Sequence, residues 1–175
     1  MAREIFELDP IDHITIDAIG KPGERVFYVQ AVKGPQVITL LIEKIQVQTL
    51  SLGIEEMLEQ IIHQHPDLPP ASADYVESVM HVLPPVDPLF RVGEAGLAFD
   101  LERDQVCLVL RQVIMEGQTE EDVSEARFWA SRSQILALAR WSDEMTNRGR
   151  QICPQCGEPM DPAGHLCPKK NGHKH

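Results

Sequence analysis

His13-Ile14-Thr15-Ile16-Asp17-Ala18-Ile19-Gly20-Lys21-Pro22-Gly23-Glu24-Arg25-Val26-Phe27-Tyr28-Val29 is the stretch from which the fold is read. Ile14 and Ile16 alternate with His13, Thr15 and Asp17, the period-two pattern of a strand with one buried face. Gly20-Lys21-Pro22-Gly23 supplies a turn, and the β-branched and aromatic run Val26 to Val29 comes back as a second strand. Lys33-Gly34-Pro35 turns the chain again, and Val37 to Val47 is long enough to bend or to divide into two strands. Turn chemistry repeated this regularly predicts an antiparallel meander.

Further along, Ser51 has the chemistry of an N-cap, with Glu55 and Glu56 in the first turns where the helix dipole favours them. Ile54, Met57, Leu58, Ile61 and Ile62 follow helical spacing, so an amphipathic helix is expected to end near His65, before Pro66. Residues 66–90 hold Pro66, Pro69, Pro70, Pro84, Pro85 and Pro88 of the chain's 13 prolines and read as a linker or long surface connection. A short element between Ala71 and Leu83 is open to either helix or strand.

The second half repeats this grammar. Arg91 to Gly96 leads into a strand over Leu97 to Asp100; Glu102-Arg103-Asp104 turns into a second, Val106 to Val113; Ala126 to Trp129 is a third. Ser131 and Gln134 have the spacing of a capping box, and the helix they open carries Ile135, Leu136, Leu138, Ala139 and Met145 before stopping at Gly149. The fold class is therefore α+β: antiparallel sheets with two amphipathic helices, strand-strand-strand-helix occurring twice, and a small zinc-binding tail. The body is expected over 1–150, with halves 1–65 and 91–150 joined by the connection 66–90, and a zinc-ribbon-like tail over 151–175. A duplicated half-domain is one reading of the repeat, and chance recurrence is the other.

The tail carries the strongest chemical signal. Cys153-Pro154-Gln155-Cys156-Gly157 is a loop in which two thiolates share one centre, the two intervening residues setting the bite and the glycine permitting positive φ. His165 and Cys167 flank Leu166, so an extended segment sends both side chains to one face, where they complete a tetrahedron. His173 is the rival fourth ligand. A redox role for Cys-x-x-Cys needs a helix start, which Pro154, Pro159, Pro162 and Pro168 oppose. Three thiolates and one imidazole fill all four positions of Zn²⁺, so the expected metal is structural.

Arg91-Val92-Gly93, Cys153-Pro-x-Cys156-Gly157, Asp161-Pro-x-Gly164-His165-x-Cys167-Pro168 and Asn171-Gly172 together resemble a bacterial family catalogued as domain of unknown function 3090. The similarity spans nearly the whole chain and is most specific in the tail. The resemblance implies a bacterial origin, Cys153, Cys156, His165 and Cys167 as the metal set, and neighbouring genes for a phosphatase-like and a kinase-like protein. It implies no particular activity.

Elsewhere the sequence excludes more than it assigns. No Gly-rich phosphate loop follows a strand, and no Gly-x-Ser-x-Gly elbow occurs. His63 and His65 read as solvated histidines at a helix C-terminus, His13 as the polar side of a strand, and Cys107 as a buried inert thiol. Trp129 and Trp141 read as core or interface anchors, and Glu43, Asp100 and Arg111 as strand charges without a visible partner. The net charge is −11, but Arg148, Arg150, Lys169, Lys170 and Lys174 face only Glu158 and Asp161 after residue 146. The acidic body opposes nucleic acid and anionic lipid, which only the tail attracts. No apolar run is long enough to span a membrane, and the N-terminus lacks the pattern of a signal peptide, so a cytoplasmic location is expected. The function expected is a non-enzymatic zinc-containing adaptor with a protein partner. The alternative is an enzyme or sensor binding a small ligand between the halves, a phosphorylated metabolite among the candidates. Nucleic-acid binding through the tail is the weaker third reading.

Overall fold

A computed structural model describes residues 2–21, 23–148, 153–157, 160 and 167–170. In chain order its elements are β1 (Ile5–Leu8), β2 (His13–Ile19), β3 (Val26–Lys33), β4 (Gln36–Ile42), α1 (Lys44–Gln64), β5 (Val92–Asp100), β6 (Gln105–Gln112), β7 (Glu125–Ser131) and α2 (Arg132–Asn147), with single 3-10 turns at Glu77–Val79 and Pro168–Lys170. The expected meanders both form. β2-β3-β4 is an antiparallel sheet with Thr15 opposite Gln30 and Gln30 opposite Thr39. β5-β6-β7 is the second meander, so three strands and a helix do occur twice.

The sequence reading needs two corrections. The sheets are not purely antiparallel: β1, a strand absent from that reading, lies parallel to β7 with Phe6 opposite Ala126 and gives the order β1-β7-β6-β5. The run Val37 to Val47 also does not continue as strand, and Ser51 is not an N-cap. The strand stops at Ile42 and α1 starts two turns before Ser51, with Glu43 as N-cap and its N–H donating to Gln46 Oε1 at 2.9 Å. Ile45-Gln46-Val47-Gln48 alternates like a strand, but Val47, Leu50, Ser51, Ile54, Leu58 and Ile61 form one buried helical stripe that leaves Ile45 outside. Ser51 Oγ instead donates to Ala139 O at 3.0 Å where the helices meet. For α2 the expected capping box is present, Gln134 N–H reaching Ser131 Oγ at 3.0 Å and Ser131 N–H reaching Gln134 Oε1 at 2.9 Å. Its last residue is Asn147; Gly149 lies outside the described residues.

The segment 66–90 is a strap bound to the polar face of the three-stranded sheet. Its Met80 carbonyl accepts from Thr15 Oγ1 at 2.5 Å. Leu83 exchanges two hydrogen bonds with the Gln30 amide, and Val82 N–H donates to Asp17 Oδ2 at 3.0 Å. Thr15, Gln30 and Thr39 are thereby buried, because they supply partners for main chain that has no ladder of its own. At its end Leu89 N–H reaches Thr39 O, and Leu41 N–H reaches Phe90 O, which carries the chain from β4 into β5. One core joins both halves: Ile16, Leu40, Ile54, Leu108, Phe128, Ile135, Leu138 and Trp141 are all essentially inaccessible and belong to a single cluster. No helix among the described residues is long and apolar enough to cross a membrane.

Candidate metal centre

The Cys153 loop closes as its composition requires. Gly157 takes φ +76° and its N–H donates to Cys153 O at 2.9 Å, folding the chain so that the next cysteine faces the first. The Cys153, Cys156 and Cys167 sulfurs then all lie within 4.8 Å of one another, with Cys153 Sγ and Cys167 Sγ 3.8 Å apart. Cys153 and Cys167 are buried and Cys156 is partly exposed. The amides of Cys156 and Gln155 aim at the Cys153 sulfur, and with the neighbouring thiols they outweigh burial and hold its pKa down to about 6. A thiolate at neutral pH is the form a metal ligand needs. The donor set thus fits a soft or borderline cation held by three sulfurs. Of the expected ligands, the structure brings these three together; His165 and its rival His173 lie outside the described residues.

Cys107 sits apart from this group. It lies on β6, 3% exposed, with burial and the Glu7 carboxylate pushing its thiol up to about 11, as suits an inert side chain. The charges read as partnerless all have roles. Glu43 pairs with Arg91, Asp100 Oδ1 accepts from Arg103 N–H at 3.2 Å in the β5–β6 turn, and Arg111 reaches Glu125 and Glu94. Of the tryptophans, Trp141 is core and donates to Ile16 O at 2.6 Å, while Trp129 is capped by the Arg103 guanidinium.

A cleft of about 330 Å³ lies where β2, the strap and the first turns of α2 meet. Asp12, His13, Ser72, Asp74, Tyr75, Ser133 and Gln134 are its polar lining, with Ile14, Val76, Val79, Met80 and Ala137 beside them. His13 Nε2 is buried without a partner among the described residues. His13 carries no local signal for this, because residues 59 or more positions away build the other walls.

Fold and site together define a two-sheet α+β protein with a cysteine-rich candidate metal centre near its C-terminus. The family model described as "Protein of unknown function (DUF3090)" matches residues 6–167, and the chain belongs to that family. Neither the curated proteins nor the solved structures contain a match.

Proposed function

We propose that the protein is a zinc-containing adaptor whose metal shapes the tail and does no chemistry, and whose partner is another protein. The convergence of the Cys153, Cys156 and Cys167 sulfurs carries this reading. Three sulfurs and the His165 imidazole saturate tetrahedral Zn²⁺ and leave no position for water or substrate. The match of the family model ends at Cys167, taking in His165 and not His173, which favours His165 as the fourth ligand. The core shared by the two halves buries Phe128, Leu138 and Trp141 almost completely, as suits a scaffold. Cobalt substitution of the full chain tests the reading. A tetrahedral thiolate spectrum unchanged by azide or cyanide is expected, whereas a spectrum shifted by either ligand means an open coordination position and overturns it.

The cleft beside His13 favours a second reading, a sensor or enzyme for a small ligand. Asp12 and Asp74 would repel a phosphate, so a neutral or cationic ligand with one group for His13 Nε2 fits better than the phosphorylated one first expected. A small molecule that copurifies with the wild type and is lost from His13→Ala would favour this second reading over the first.

A further inference from the structure

β5 is an open edge. Among the described residues it pairs only with β6, and Gly93, Glu94, Ala95, Gly96 and Ala98 are exposed along it. Gln112 N–H donates towards β7 and Val113 N–H towards Arg91, so alternation along β6 turns the main chain of Glu94, Gly96 and Ala98 to β6. The N–H and C=O groups of Ala95, Leu97 and Phe99 therefore point to the free side. Proteins usually blunt such an edge with proline, lysine or a covering element. Here, among the described residues, Gln46 covers the Val92 and Gly93 carbonyls, and small side chains follow. Beside this edge a groove of about 400 Å³ runs between α1 and β5, walled by Ile45, Thr49, Gly53, Ala95 and Leu97. Ile45, at its rim, is 67% exposed.

We propose that β5 pairs with β5 of a second copy, antiparallel across a two-fold axis at Gly96, joining the two four-stranded sheets into one of eight strands. The sequence of the edge selects this occupant and this register. With Gly96 opposite the partner's Gly96, each Ala95 faces a Leu97, small against large. Each Leu97 then lies on the face that looks to α1 and enters the other copy's groove. Glu94 faces Ala98 and Asp100 faces Val92, so no like charges meet. Moving the register by one step so that Leu97 faces Leu97 sets Glu94 opposite Asp100, which like-charge repulsion disfavours. Closed two-fold pairing also satisfies every edge group that it uses, and the joined sheet then ends on the short strand β1 at both sides.

The test is sedimentation of the full chain with two charge variants and one cysteine variant. The wild type is expected as a dimer at micromolar concentration. Ala98→Glu places a carboxylate opposite Glu94 twice per dimer and weakens association by about tenfold, while Ala98→Lys at the same exposed position preserves or tightens it. Gly96→Cys is tolerated sterically, since an added Cβ there meets nothing within 4 Å. Mild oxidation should join its two introduced thiols, because facing residues at a pair without mutual hydrogen bonds stand about 4.5 Å apart, within disulfide reach. A monomer at 100-fold higher concentration (on the order of the range in which weak homodimers form) would overturn the proposal. So would a dimer indifferent to the charge at position 98, or one in which peptide mapping finds no bridge at position 96. The pairing uses body residues alone, so a failed zinc assignment leaves it standing.

Discussion

Glu125 stands on the face of β7 away from the core, yet it is 2% exposed because Arg111, Arg127 and Arg3 close over it, at 3.0, 2.5 and 3.5 Å. Burial pushes its carboxyl pKa up, and the hydrogen bonds from Arg127 and Arg111 more than offset this, so the folded value lies below the ordinary 4.5. The stability this contributes is complete above the ordinary value and is lost as pH falls through the folded one. The three arginines are each more than a third exposed, which screens the attraction. Glu125→Gln should therefore cost about 1–2 kcal/mol at pH 7, the lower part of the range for losing a charged hydrogen-bond partner. Urea unfolding at pH 7 and at pH 3 checks this: the gap between wild type and variant should shrink in acid, and an equal gap at both would refute it. At this scale the cysteines were legible in the sequence because Cys-x-x-Cys closes locally. Glu125 and His13 were not, since their surroundings come from β1, β6, the strap and α2.

The elements were legible wherever one local pattern had no competitor. β2, β3, β6 and β7 followed alternation and turn residues, and α2 followed its capping box. Ser131→Ala removes the acceptor for Gln134 N–H and should lower stability by about 1 kcal/mol, whereas Ser51→Ala should leave the helix start intact. Comparing their thermal midpoints with helix content by circular dichroism separates a lost cap from a lost contact to Ala139 O. α1 was read two turns short because Ile45 and Val47 imitate a strand until the rest of the buried stripe is in place. β1 was missed because four residues with a partner 120 positions away carry no local sign of pairing. The strap was read as a linker because its order comes from Thr15, Asp17 and Gln30, polar residues that alternation alone assigns to solvent.

For the whole molecule, the shared core of both halves contains, among the described residues, none beyond Met145. Arg148, stacked over Trp141 and bonded to Glu77 and Glu144, ties the end of α2 to the strap. A chain cut after Arg148 should therefore unfold cooperatively, with a urea midpoint close to that of the full chain, and a broad, non-cooperative transition would mean that the tail supports the body. Under the proposed zinc reading the tail depends on its metal in the opposite way, since structural zinc binding is worth roughly 10–16 kcal/mol in segments this short. The most direct test is the zinc content of the purified full chain beside His165→Ala and His173→Ala. One zinc per chain is expected in the wild type and in His173→Ala, with the metal lost or held far more weakly in His165→Ala; a wild type without zinc, or the reverse order of the two variants, would contradict the account.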